Sequence, residues 1–186
     1  MIIGIFVSLL AIVEANFDYP GRPTLEDVKK FYLLGNITYL VKRSYVAKVE
    51  DSEPTCIYNK VTKVDDKKIT FNQSYIYKSG ERATYYTVDV DISRSSGYDV
   101  APIMSAVTKG APIMRRTYNF HYYDPVAQCV VLTFLDYSGT LRCELHTWKD
   151  KASYVYYGNC QYEYDYQCPG RKTHSVYLQG CWNLEY

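Results

Sequence analysis

The stretch that decides the fold reads Cys129-Val130-Val131-Leu132-Thr133-Phe134-Leu135, then Asp136-Tyr137-Ser138-Gly139, then Thr140-Leu141-Arg142-Cys143-Glu144-Leu145-His146-Thr147-Trp148. Two β-rich runs joined by a short loop that contains glycine predict a β-hairpin. Five of the six cysteines lie from Cys129 onward, one on each predicted hairpin strand and three beyond them. This distribution predicts a C-terminal helix that is fastened by disulfides across the outside of an antiparallel sheet.

The rest of the chain is predicted to supply the other strands of that sheet. Turn residues separate β-rich runs at the spacing that is typical of an all-β barrel or sandwich. The predicted strands are Ile37–Lys48, Thr55–Val64, Lys68–Tyr77, Thr84–Ile92, Tyr98–Val107, Ile113–Tyr122, Val130–Leu135 and Thr140–Trp148. Eight consecutive strands with short connections favour a closed up-and-down barrel, whose interior can hold one small ligand.

Two helices are predicted to flank the strands. Thr24 can cap a short N-terminal helix, with Asp27 as its reciprocal partner, and Gly35-Asn36 would stop that helix. The polar, tyrosine-rich segment Lys151–Gln167 ends at Pro169-Gly170 and predicts a helix over part of its length.

Composition limits the classes of partner. With 186 residues, the chain is long enough for one domain with a real core. Its 21 basic and 20 acidic residues give a net charge of +1, without long runs of either sign. This balance argues against nucleic acid, or an anionic membrane, as the main partner.

The N-terminus and the cysteines indicate the secretory route. Residues 1–15 are apolar and end in Val13-Glu14-Ala15, which predicts a signal peptide and a single mature domain over 16–186; a buried first helix is the alternative. An even number of cysteines and the sequons at Asn36 and Asn72 agree with secretion and glycosylation. Zinc is not predicted, because the sequence has no Cys-x-x-Cys and its histidines do not cluster. No cofactor is predicted either.

The order of elements and two short motifs carry a family resemblance. An N-terminal helix, eight strands, Cys129-Val130-Val131, Glu144-Leu145-His146, a helix and a terminal cysteine together resemble the tick salivary lipocalins, which include histamine-binding proteins. The resemblance implies an eight-stranded antiparallel lipocalin barrel with a short N-terminal helix and a C-terminal helix packed outside. The disulfides that it implies are Cys56–Cys181 and Cys129–Cys160, which leaves Cys143–Cys168 as an additional pair.

The sequence departs from the amine-binding members at the positions that matter most. Those members have Asp directly after the cysteine that corresponds to Cys129, and Trp directly after the Glu-Leu pair. This chain has Val130 and His146 at these two positions. Where they place an acid after the first strand, this chain has Ala47 or Lys48. Glu144 is retained, and alignment with the family implies that Arg116 lies inside the barrel as its partner. A slip of one residue in the strand register would turn Arg115 inward instead. The predicted ligand-binding residues are Tyr45, Ile103, Met114, Arg116, Tyr118, Phe120, Glu144, His146 and Trp148.

These departures favour a mainly apolar ligand with one polar end, such as a sterol, a fatty acid or a lipid mediator. The expected protein is a secreted, monomeric, non-enzymatic component of tick saliva that sequesters a small host molecule and so suppresses inflammation or immunity. Two alternatives stay open. Glu144, Asp89 and Asp91 could serve histamine or serotonin, and the loops or exposed tyrosines could bind a host protein, such as one on an immune cell.

Overall fold

A computed structural model describes residues 23–95, 100–153, 156–177 and 181, and it places the described strands in a closed antiparallel barrel. The predicted signal peptide lies outside the described residues. The elements are α1 Leu25–Phe31, β1 Ile37–Arg43, β2 Cys56–Val64, β3 Lys68–Tyr77, β4 Arg82–Ser93, β5 Ile103–Thr108, β6 Arg115–Asp124, β7 Cys129–Leu135, β8 Leu141–Trp148, α2 Asn159–Gln167 and β9 His174–Ser175. Each of β1 to β8 pairs with its sequence neighbours, and β1 also pairs with β8, so the predicted up-and-down lipocalin barrel is confirmed.

The predicted strand ends differ most from the structure at the end of β1 and at the start of β5. β1 ends at Arg43, not at Lys48, because the Ser44 hydroxyl accepts the hydrogen bond of the Cys143 amide (2.9 Å) and closes the ladder there. β5 begins at Ile103, and the predicted start at Tyr98 lies outside the described residues. The C-terminal helix, predicted over part of Lys151–Gln167, is confirmed and covers Asn159–Gln167.

Helix α1 closes one end of the barrel. Thr24 and Asp27 form the predicted capping box, and the buried side chains of Val28, Phe31 and Tyr32 enter the barrel core. We call this the closed end. The opposite, open end is formed by the connections β1–β2, β3–β4, β5–β6 and β7–β8.

Helix α2 packs on the outer faces of β6, β7 and β8. Strand β7 is therefore buried on both faces, with only Leu135 exposed, which explains why its sequence is a continuous apolar run instead of an alternating one. Disulfides join the two strands of the hairpin to the ends of this helix through Cys129–Cys160 and Cys143–Cys168, and Cys56–Cys181 ties the C-terminus to β2. These are the pairings that the family resemblance implied. Neither described helix is long and apolar enough to span a membrane.

Candidate functional site

The barrel interior contains a larger cavity at the open end and a small one below it. The mouth cavity has a volume of about 380 Å³ and is lined by Leu40, Arg43, Tyr45, Ala47, Lys48, Val49, Glu50, Pro54, Ile57, Gln73, Tyr75, Thr84, Tyr86, Met114, Arg116, Tyr118 and Glu144. The inner cavity, of about 40 Å³, lies against Tyr32, Asn59, Phe71, Gln73, Val88, Val90, Met104, Ala106, Tyr118, Leu132, Glu144 and His146. The mouth cavity can hold a small ligand, whereas the inner one has room for about one water molecule.

Glu144 lies at the boundary between the two cavities. Alternation along β8 directs Glu144 and His146 into the barrel and Cys143 outward to its disulfide with Cys168. Both carboxylate oxygens of Glu144 have partners. Oε1 accepts a short hydrogen bond from the Tyr45 hydroxyl and lies 3.5 Å from Arg116 Nη1, and Oε2 lies 2.8 Å from His146 Nε2.

The charges of this cluster are fixed by its neighbours. Burial alone would raise the pKa of the Glu144 carboxyl, but the hydrogen bond and charge of His146, the charge of Arg116 and the Tyr45 hydrogen bond hold it below its ordinary value. Burial, reinforced by the Glu144 charge, raises the pKa of the Tyr45 and Tyr118 hydroxyls. At neutral pH, Glu144 is therefore an anion and both tyrosines are hydrogen-bond donors.

Arg116 occupies an aromatic environment next to Glu144. Its Cζ lies 4.1 Å from the ring centroid of Phe134, 5.7 Å from that of Tyr45 and 5.8 Å from that of Tyr118. Its Nη1 also donates to the Tyr118 hydroxyl oxygen at 3.2 Å. A carboxylate surrounded by aromatic rings is the arrangement that would bind a ligand cation. In this protein, a side-chain cation already fills it.

A second guanidinium, that of Arg43, is buried in the wall of the mouth cavity. It is 1% exposed, its Nη2 donates to the Ala47 carbonyl at 3.2 Å, and Glu53 Oε2 lies 3.9 Å away. Its Nε has no hydrogen-bond partner within the described part of the chain. An unpaired N–H on a buried cation is costly, so the hydrogen-bonding capacity of this guanidinium is only partly satisfied by the described residues.

A β-bulge directs Arg43 into the barrel. The register between β1 and β8 shifts between Leu40 and Lys42, so that Leu40 and Arg43 both line the cavity although they are three residues apart. Lys42, its neighbour, reaches outward and donates to Gln161 of α2. Strict alternation from Leu40 would instead place Lys42 inside the barrel and Arg43 on its outer wall.

Five of the predicted site residues, Tyr45, Met114, Arg116, Tyr118 and Glu144, lie together around the mouth cavity. His146 lies against the inner cavity, and its buried Nδ1 has no hydrogen-bond partner among the described residues.

Three other predicted site residues lie away from both cavities. Ile103 faces outward on β5, because the register turns Met104 inward in its place. Phe120 and Trp148 point inward but pack at the closed end, where the Trp148 indole N–H donates to the Phe31 carbonyl at 3.0 Å.

The amine alternative relied on Asp89 and Asp91 together with Glu144. Neither aspartate side chain points into the barrel. The Asp89 carboxylate lies on the outer face of β4, 3.1 Å from Lys68 and 3.0 Å from Lys109. Asp91 is exposed on the same strand. Glu144 and Glu50 are therefore the carboxylates that line the mouth cavity. Glu50 forms ion pairs with Lys78 at 3.3 Å and Arg82 at 3.1 Å.

Several residues of the site were not predicted from the sequence. Arg43, Tyr75 and Tyr86 line the mouth cavity, and Phe134 packs beside it against Tyr45 and Tyr118. Phe134 could have been found, because it alternates with Val130 and Leu132 on the inward face of β7. Alternation through Phe71 and Gln73 likewise indicates Tyr75 on β3. Arg43 carried no such signal because of the bulge. Among the described residues, no group of three or more His, Cys, Asp or Glu side chains could hold a metal ion.

Comparisons with known proteins agree with this geometry. The sequence profile of a family described as tick histamine-binding protein matches residues 25–183. A search of curated proteins finds no match. Among solved structures, the chain is similar to AM182, determined as a serotonin complex, with 19% identity, a TM-score of 0.57 and coverage of 90% of this chain and 97% of that one. It is also similar to apocrustacyanin C1, with 10% identity, a TM-score of 0.53 and coverage of 83% and 87%. At these identities the likeness concerns the fold.

Proposed function

The chain belongs to the tick histamine-binding protein family of small-ligand-binding lipocalins, and from this premise we propose that it sequesters one amphiphilic ligand whose acidic end enters the mouth cavity. One observation carries the proposal. The carboxylates that line the cavity are neutralised by side-chain cations, whereas the buried guanidinium of Arg43 keeps an unpaired Nε. The carboxylate of a fatty acid or an acidic lipid mediator provides a counter-charge for the Arg43 guanidinium in the cavity wall, and its chain matches the apolar wall of Leu40, Ile57 and Met114.

The physiological role follows from secretion and tight binding. We propose that residues 1–15 are removed as a signal peptide and that the protein withdraws a host mediator from the fluid around the feeding site. A closed barrel with three disulfides is preorganised for this task, since little ordering remains to be done when the ligand binds. N-terminal sequencing of protein secreted from eukaryotic cells should give Asn16, and retention of Met1 would contradict the processing.

Calorimetric titration of solvent-extracted protein with oleate tests the ligand class. We expect one oleate to bind per chain and Arg43→Met to weaken it by about tenfold or more, because a charge-assisted contact is lost. Lys42→Met is the matched control, since it removes a cation one residue away on the outer wall. Equal affinity of the wild type and both variants would refute the role of Arg43, and absence of oleate binding would refute the acidic ligand.

A biogenic amine is the second candidate, and one observation favours it. Glu144 lies among Tyr45, Tyr118 and Phe134 with the Arg116 guanidinium where an amine cation would sit. Arg116 is partly exposed, so that a ligand cation could displace it. Titration with histamine and serotonin decides between the two candidates. The acidic-ligand proposal predicts that the wild type binds neither and that Arg116→Met gains amine binding, whereas micromolar binding by the wild type would favour the amine.

A further inference from the structure

One side of the open end carries exposed apolar side chains. Ile113 and Met114 lie in the β5–β6 connection, and Leu135 and Tyr137 lie where β7 passes into the β7–β8 connection. We call these four residues the apolar rim. Their exposed fractions are 68%, 43%, 66% and 106%, so each presents much of its apolar surface to solvent. Single exposed apolar residues are ordinary, but four on two neighbouring loops form a patch that indicates an interaction surface.

The charges around the apolar rim are cationic. Arg115 is exposed beside the rim, and no ion pair joins it to another described residue. The one carboxylate on these two connections, Asp136, is occupied by Arg142 at 2.6 Å. The other acidic side chains of the open-end connections lie on the β1–β2 and β3–β4 connections and are Glu50, Asp51, Glu53 and Glu81. The apolar rim therefore combines exposed hydrocarbon with an uncompensated positive charge.

A groove beside this rim lies between β6 and the end of β7 with its connection to β8. It has a volume of about 360 Å³ and is lined by Arg115, Arg116, Thr117, Asn119, Phe134, Leu135, Asp136 and Tyr137. Arg115, Thr117 and Asn119 offer hydrogen-bond donors on one side, while Leu135 and Tyr137 bound it with apolar surface. A polar groove beneath an apolar edge suits a molecule with an anionic head and a hydrocarbon tail.

We propose that the apolar rim and Arg115 form a docking surface for an anionic phospholipid membrane. The rim side chains enter the headgroup region, where tyrosine is favoured, and Arg115 with the groove takes up a lipid phosphate. Because Met114 and Arg116 also line the mouth cavity, docking places the cavity opening at the lipid surface. The net charge of +1 gives little attraction at long range, so that docking depends on these local contacts.

Docking goes beyond the proposed ligand binding and is tested without any ligand. Extracted protein is sedimented with vesicles of phosphatidylcholine, with and without phosphatidylserine. We expect binding to the anionic vesicles that weakens as salt is added. Arg115→Gln should weaken it about fivefold, as for one basic side chain at an anionic surface. The double variant Ile113→Ser and Leu135→Ser should weaken it about tenfold.

Matched changes at the closed end serve as controls. Leu34→Ser with Val126→Ser removes two apolar side chains that are 70% and 87% exposed, and Lys67→Gln removes an exposed cation. These controls should bind vesicles as the wild type does, and circular dichroism checks that every variant folds.

Three outcomes would overturn the proposal. Wild-type protein could fail to bind anionic vesicles, or the rim variants could bind as well as the closed-end controls. Light scattering could also show that the rim joins two copies of the chain in the absence of vesicle binding. Oleate titration of the same variants separates the two proposals, since Arg115→Gln should leave oleate affinity unchanged.

Discussion

The closed half and the open half of the barrel interior are built on the same strands but differ in what those strands direct inward. In the closed half, Phe31, Phe71, Phe120 and Leu132 form a packed core around the inner cavity of about 40 Å³. In the open half, Arg43, Arg116 and Glu144 surround a cavity of about 380 Å³. From this difference we infer that the closed half contributes most of the stability and that the open half binds the ligand, and four predictions test this separation.

The largest effect is expected from Phe120→Ala in the closed half. Phe120 is fully buried, and its ring contacts that of Phe31 with centroids 6.3 Å apart. Its truncation should lower the free energy of unfolding by about 3–5 kcal/mol. Met114→Ala in the open half should cost about 0.5 kcal/mol or less, because Met114 is largely exposed. Urea denaturation with the disulfides intact measures the free energy of unfolding of both variants. Equal losses in the two variants would contradict the proposed difference between the closed and open halves.

The double change Cys143→Ala and Cys168→Ala comes next. This disulfide spans 25 residues, so its removal should lower the free energy of unfolding by about 3 kcal/mol. Because Cys143 faces away from the cavity, oleate affinity should stay within twofold (about 0.4 kcal/mol) of the wild type. Once circular dichroism has confirmed that the variant folds, calorimetry measures its oleate affinity. A tenfold loss of affinity would show that the shape of the mouth cavity depends on the Cys143–Cys168 disulfide.

Glu144→Gln should have a smaller effect on stability and should also change the affinity for oleate. Loss of the buried carboxylate weakens the contacts to His146 and Arg116 and should cost about 1–3 kcal/mol. Oleate affinity should rise, since a negative charge leaves the cavity. A fall in oleate affinity would contradict the acidic-ligand proposal, and Asp136→Asn, outside the cavity, serves as the control.

The smallest expected effect is a change in the pH dependence of stability. The pKa of Glu144 is lower in the folded state than its ordinary value of 4.5, so the unfolded state binds its proton first as pH falls. The stability that Glu144 contributes is therefore complete above pH 4.5 and is lost as pH falls through the folded pKa. Thermal unfolding across this range should show a shallower loss in Glu144→Gln than in the wild type. If the stability of the wild type and of Glu144→Gln falls equally steeply with pH, the pKa of Glu144 is not lowered in the folded state.

Much of the fold could be predicted because its signals are local. The run from Cys129 to Trp148 specifies a hairpin through strand propensity and turn residues, and Thr24 with Asp27 specifies the start of α1. The strand ends were less predictable. Leaving the ladder at Ser44 depends on a hydrogen bond to Cys143, which is 99 residues away.

The site was predictable where alternation is regular and not elsewhere. Alternation placed Tyr118 and Glu144 in the interior, where the structure has them. It failed at Arg43 because the bulge adds one residue to β1, and at Ile103 because register is set by the neighbouring strands. Phe120 and Trp148 point inward as predicted, but alternation does not tell how far along the barrel axis a side chain lies.

The helix and the two disulfides on the outside of the barrel should make some of its strands less mobile than others. Helix α2 and two disulfides cover β7 and β8, while the outer faces of β3, β4 and β5 carry no such layer among the described residues. Backbone amides of β7 and β8 should exchange with solvent only on global unfolding, and those of β4 and β5 should exchange through smaller local openings. We therefore expect β7 and β8 to form a rigid wall and β4 and β5 a more deformable one, so that a wider ligand would be accommodated by outward displacement of β4 and β5.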